Sequence, residues 1–276
     1  MLLFINITYF LFHILWGINY YRAPFYKKLN LSVDLNIKKD TDELYDLANI
    51  LIKKCIKLRS SLKEDPNGIF TYEIPPSVEL LKKGFIYLSD MKIIDKPLEH
   101  ICFKPSFFSS LLKYSSISGY YNPFSFEAQI NFNFPKTTIP FTLAHEISHQ
   151  IGIAKEDEAN FMGFLVSVYS SDPIYQYSAY YTALKYILNA MDQQDIQKLI
   201  TLSPSIKRDI ENEQSFFKKN KSPFTYITSY FNDIFLKLNG QKKGRKTYHQ
   251  FVNLLLSLYK KEIEKKTNLK KIFFIF

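Results

Sequence analysis

Cysteine is nearly absent. Cys55 and Cys102 are the two in 276 residues, and they sit in dissimilar surroundings without CxxC spacing. Neither a disulfide framework nor a thiolate metal site is signalled. Arginine is scarce too, at positions 22, 59, 208 and 245, while lysine, asparagine, isoleucine and phenylalanine are plentiful, a bias that AT-rich coding DNA also produces. No internal repeat is evident. The first 21 residues contain no formally charged side chain.

The net charge of +10 is concentrated rather than spread, because ten Lys/Arg against Glu262 and Glu264 fall in residues 242–276. The rest of the chain is nearly neutral. Such a tail, without a nucleic-acid fold signature, reads as a solvated face or a partner for anionic lipid headgroups, and no nucleic acid is expected. With 46% hydrophobic residues the chain can bury a sizeable core in one domain, or at most two.

Residues 1–21 read MLLFINITYFLFHILWGINYY, apolar apart from Asn6, Thr8, His13 and Asn19. About 20 helical residues span a ~30 Å hydrocarbon layer. Trp16, Tyr20 and Tyr21 followed by Arg22, Lys27 and Lys28 resemble an aromatic belt with flanking cations, so a transmembrane anchor in the bilayer is expected. The basic start and small-residue cleavage site of a secretory signal are not evident. Cations on the carboxyl side favour a cytoplasmic body, although three charges leave the side of the membrane open.

Beyond the anchor, Asp40 and Glu43 form a capping-box pattern, and Leu44, Leu47, Ala48, Leu51, Cys55 and Leu58 recur at helical spacing. A second helix is predicted from Ser77 to about Leu88, weakened by Lys82, Lys83 and Gly84. Residues 128–134 alternate apolar and polar side chains, which predicts a strand with one buried face. Helical spacing returns over 161–191, broken at Pro173, and over 224–259, broken at the Gly240 to Gly244 turn.

The chemistry is concentrated in TLAHEISHQIGIAKEDEANF, residues 142–161. His145 and His149, four apart on a helix, present both imidazoles on one face, where they can hold one zinc ion. Glu146, beside the first ligand, is placed to act as general base on a water at the open position. Gly152 is suited to the left-handed residue that ends the helix and turns the chain back. A third protein ligand is then needed, and Glu156 is the candidate, with Asn160 one turn later orienting a ligand. Glu158 lies about 200° around an ideal helix from Glu156 and is the alternative ligand. If His145 and His149 are instead core histidines, the three glutamates are surface charges. His13, His100 and His249 receive no role. Tyr120, Tyr121, Tyr177 and Tyr180 are candidate donors to an oxyanion. The strand at 128–134 is either ordinary or an edge that pairs with an extended peptide substrate.

Taken together, WGINYYRAPF, FKPSFFS, GYYNPFSFEAQINFNFP, PFTLAHEISHQIGIAKEDEANF, FLKLNGQKKG and TYHQFVNLLLSLY resemble a bacterial membrane-protein family catalogued as a domain of unknown function, number 3810. The resemblance covers nearly the whole chain. Members carry further spans upstream of WGINYYRAPF, which implies that the chain begins inside their last one. The EDEAN stretch is similar to the ExxAD element of the membrane-associated CAAX prenyl protease class, which implies zinc ligation by Glu156, with Asn160 in place of the aspartate. The separation of His149 and Glu156 is much shorter than in that class.

The expectation is a mostly α, α+β zincin-like fold of the gluzincin type, with a short β element beside the HExxH helix and one N-terminal transmembrane helix. Residues 1–21 form the anchor, and 22–276 form a metallopeptidase domain with a basic tail. The expected function is that of a zinc metallopeptidase, located at the membrane, that cleaves peptide bonds in a membrane or envelope protein. The rival is a non-catalytic membrane scaffold on a degenerate version of the same fold.

Overall fold

The computed structural model describes residues 1–33, 41–95, 101–199, 203–238 and 248–267. Asp40 of the capping box, His100, the Gly240 to Gly244 turn and both ends of the basic tail lie outside the described residues. The helices are α1 (Leu2–Leu15), α2 (Thr41–Arg59), α3 (Val78–Asp90), α4 (Ser109–Leu112), α5 (Ile139–Gln150), α6 (Glu156–Val168), α7 (Pro173–Leu188), α8 (Gln193–Lys198), α9 (Pro204–Asn220), α10 (Pro223–Leu238) and α11 (Tyr248–Thr267). Three short strands, β1 (Phe103–Pro105), β2 (Gly119–Asn122) and β3 (Glu127–Ile130), complete the architecture. The protein is mostly helical with one small sheet.

The N-terminal expectation requires correction. No helix among the described residues is long and apolar enough to cross a membrane. α1 has 14 residues, which at 1.5 Å each give about 21 Å. The cause is Trp16, which leaves helical geometry at φ −138°, ψ −47° and buries its ring against the body. The chain then continues as a 3-10 turn over Gly17–Tyr21.

α5 occupies the centre. It packs on α6, α7 and the sheet, while α2 lies on α7, and α3 and α11 lie on α6. The side chains that recur at helical spacing in α2 face this interior: Leu47, Ala48, Leu51 and Cys55 are fully buried. Burial of each such leucine contributes about 1.5–3 kcal/mol. The start of α5 is tied down by α7, because the Phe141 N–H donates to Ser178 Oγ at 3.1 Å and Ser178 Oγ donates to the Thr137 carbonyl at 2.5 Å. That arrangement satisfies a backbone donor which a helix start leaves unpaired.

Gly84 does not break α3. A Cβ at that position would lie 2.0 Å from the Val166 carbonyl oxygen of α6, so glycine is what lets the two backbones touch. Alanine gains up to about 1 kcal/mol in helix propensity but meets a backbone atom that cannot step aside. Gly84→Ala is therefore expected to cost about 1–3 kcal/mol net, read as a lower urea midpoint.

The strand order is β1-β3-β2. β1 runs parallel to β3, and β2 antiparallel with Gly119 opposite Ile130 and Tyr121 opposite Ala128. The strand predicted over 128–134 is shorter and central, so it has no free edge to offer a substrate. It ends at Ile130, and the next side chain, Asn131, accepts from the Asn133 N–H at 3.1 Å, a local turn that competes with the ladder. The edge strand beside α5 is β2.

Candidate metal centre

The end of α5 builds the site. Gly152 adopts φ +89°, its N–H bonds to the His149 carbonyl at 2.8 Å, and the Ile153 N–H bonds to the Ser148 carbonyl at 3.2 Å. This pair of bonds is the glycine-terminated helix stop that a left-handed residue permits. The reversal turns the Ile153 carbonyl back onto His149, whose Nδ1 lies 2.7 Å from that oxygen. Nδ1 therefore carries the hydrogen, and Nε2 is left with its lone pair toward the site. Burial pushes the His149 pKa down to about 4 against the opposing charge of Glu156, which keeps the ring neutral.

α6 begins with Glu156 directly after the turn. His145 Nε2 and His149 Nε2 are 3.1 Å apart, and Glu156 oxygens lie 3.3 Å from the first and 3.7 Å from the second. A tetrahedral ion with bonds of about 2.0–2.1 Å separates its ligand atoms by about 3.3–3.4 Å. The three side chains thus fit one zinc-sized ion. For His145, burial lowers the pKa, but the contact with Glu156, the charges of Glu146 and Glu156, and Asn160 together raise it. Glu156 is correspondingly lowered: burial opposes ionisation, and the two histidines outweigh it.

Glu146 borders this set. One of its oxygens joins the two rings in a group within 4.8 Å, while Glu156 is the carboxylate in direct contact with both nitrogens, which makes it the better placed candidate for a third ligand. Burial first, then the charge of Glu156, raises the Glu146 pKa to about 8, with His145 opposing. Its carboxylate lies against β2, where a Cβ on Gly119 would come within 3.0 Å of Oε1. Gly119 is a site residue that no pattern in the sequence marks.

Glu158, the alternative ligand, faces elsewhere. Its Oε2 accepts from the Phe25 N–H at 2.8 Å and Oε1 pairs with Lys155 at 3.2 Å. Asn160 stands beside His145 and is buried. His145 Nδ1 and Asn160 Nδ2 each lack a partner in good hydrogen-bond geometry, so the amide influences the ring without closing a regular bond. Burial first, then the charge of Glu156, raises the pKa of Tyr186 on α7.

The N-terminal segment roofs the centre. The Trp16 ring packs 4.6 Å from Tyr121 and 6.0 Å, edge to face, from His149. Tyr20, on the following turn, is half-buried, and burial first, then the charge of Glu156, pushes its pKa up to about 12. Of the candidate donor tyrosines, Tyr121 lies under Trp16. Tyr120 pairs with Ser106 at 3.5 Å. Tyr177 donates to Asp209 at 2.6 Å, and Tyr180 packs on Phe164.

Residues 1–256 match the family described as a protein of unknown function, DUF3810. The chain belongs to the DUF3810 family. No curated protein and no solved structure matches it. The match of this DUF3810 chain spans every residue of the centre, from Trp16 to Glu156, without assigning it a reaction.

Proposed function

We propose that this protein is a zinc metallopeptidase that hydrolyses peptide bonds in a polypeptide. The observation that carries the reading is the convergence of His145 Nε2, His149 Nε2 and the Glu156 carboxylate at separations of 3.1 to 3.7 Å. Those three residues would hold the ion. When bound, zinc supplies Lewis acidity, which lowers the pKa of water held on it and polarises a carbonyl. Glu146 takes the proton as water oxygen attacks the carbonyl carbon, and returns it to the amine nitrogen as the C–N bond breaks.

The edge position of β2 supports an extended polypeptide as substrate. Among the described residues no strand pairs with its outer side, and Gly119 brings that edge against Glu146. A peptide added there as a further strand passes the base.

Metal analysis of the native protein together with cleavage of an unfolded polypeptide such as casein is the test. The expected result is about one zinc per chain and cleavage that stops on chelation and returns with zinc. His149→Ala is expected to lose the metal. Bound zinc with no cleavage favours a non-catalytic scaffold on this fold.

A further inference from the structure

An amphipathic helix on a folded body normally turns its apolar side inward. α10 does the reverse. Thr225 Oγ1 donates to the Tyr114 carbonyl, and Ser222 Oγ, just ahead of the helix, donates to the same oxygen at 3.2 Å. The hydroxyl-bearing side of α10 is thus fastened to the turn Lys113–Ser115 that follows α4. Phe224, Tyr226, Ile227, Tyr230 and Phe231 are all exposed, and on an ideal helix these five fall within one arc of about 160°. The chain leading into the turn adds three more exposed apolar side chains, Phe107, Phe108 and Leu111, with Phe107 at 92% exposure. Apolar side chains gathered on one face, rather than scattered singly, mark a surface that docks on something.

The charge around this face selects the partner. Residues 105–126 and 214–232 contain no Asp or Glu, and their formal charges are Lys113, Lys218, Lys219 and Lys221. Lys113 Nζ lies 4.9 Å from the centre of the Tyr114 ring and Lys221 Nζ 5.5 Å from that of Tyr226, and among the described residues no carboxylate pairs with either. Such a face fits the boundary between hydrocarbon and anionic headgroups: phenylalanine and isoleucine enter the acyl layer, tyrosines sit at its edge and lysines meet phosphate.

We propose that the face formed by α10 and the Phe107 to Tyr114 segment docks on the surface of a bilayer that contains anionic lipid. The chain then lies on the membrane through this face without a helix that crosses it. The docking stands apart from the peptidase reading but bears on it. Gly119 of β2 follows Tyr114 by five residues, so under that reading the docked chain holds its substrate edge near the bilayer.

The test is flotation of the full chain with vesicles of phosphatidylcholine and with vesicles in which about a third of the lipid is phosphatidylglycerol. The expected result is binding to the mixed vesicles, about tenfold weaker on phosphatidylcholine alone. Phe224→Ser with Ile227→Ser and Phe231→Ser should lower the partition coefficient on mixed vesicles by about 10²-fold. Its urea midpoint should match that of the wild type, because the three altered side chains are exposed. Lys113→Glu with Lys221→Glu should weaken binding to the mixed vesicles by about tenfold and leave that to phosphatidylcholine unchanged. α1, also exposed and apolar, and the lysine-rich tail are intact in both variants, so a triple variant that floats like the wild type overturns the proposal. A wild type that floats with neither vesicle overturns it as well. Dimerisation of that wild type, abolished in the triple variant, would then assign the face to a second copy of the chain.

Discussion

Glu146→Gln is expected to leave zinc bound and to lower peptide cleavage by about 10²–10⁴-fold. Glutamine has nearly the shape of glutamate, so it fits against Gly119 and leaves the ligand triangle undisturbed. What it lacks is a site that can take a proton from water. The buried position of Glu146 favours its neutral form, as its pKa of about 8 shows, and a divalent cation beside it draws the carboxylate back toward ionisation. In the proposed peptidase ion and base are therefore coupled, and removing the base is expected to stop the chemistry without emptying the site. Zinc analysis and initial rates on the same preparation check this. Glu156→Gln is the contrasting variant: it is expected to lose the metal, because that carboxylate touches both imidazoles. If Glu146→Gln sheds zinc and Glu156→Gln retains it, the roles of the two glutamates are reversed.

The parts of this centre that were legible in the sequence are those set by local geometry. A helix places His145 and His149 on one face whatever surrounds it, and Gly152 announced the reversal that brings Glu156 round. The alternation at 128–134 revealed a strand but not its neighbours, since edge or centre is decided by β1 and β2 pairing across the chain. Trp16 and Tyr20 were misread for a different reason. An apolar run ending in aromatics and cations has the composition of a membrane span, and only the tertiary contact of Trp16 with Tyr121 and His149 shows where that run stops being a helix. Gly119 was invisible because its significance is the space it leaves for Glu146, 27 residues further on.

Asp209→Ala is expected to destabilise the fold by about 3–5 kcal/mol, a large share of the ~5–15 kcal/mol that holds a typical domain together. Asp209 is fully buried on α9. Its Oδ2 lies 2.7 Å from Arg59 Nε and accepts from the Tyr177 hydroxyl at 2.6 Å. Its Oδ1 accepts from the Phe70 N–H at 2.8 Å. One carboxylate thus joins α2, α7, α9 and the loop after α2. Arg59 is as deeply buried, with a second contact to the Gly68 carbonyl at 3.1 Å and Nη1 3.0 Å from Glu64 but out of hydrogen-bond geometry. Truncating the aspartate leaves a phenol and a backbone N–H without their acceptor and a buried guanidinium with only the Gly68 carbonyl and the part-exposed Glu64 to face, and the loss at that charge dominates the cost. Arg59→Met with Asp209→Leu removes both charges and should recover much of the loss, because the expense lies in the under-compensated buried cation more than in the missing attraction. Urea unfolding of the wild type, the single variant and the double variant separates these terms. A loss below about 1 kcal/mol for Asp209→Ala would mean that the pair is solvated in solution, and that α7, which ties down the start of α5 through Ser178, is held by its apolar face alone.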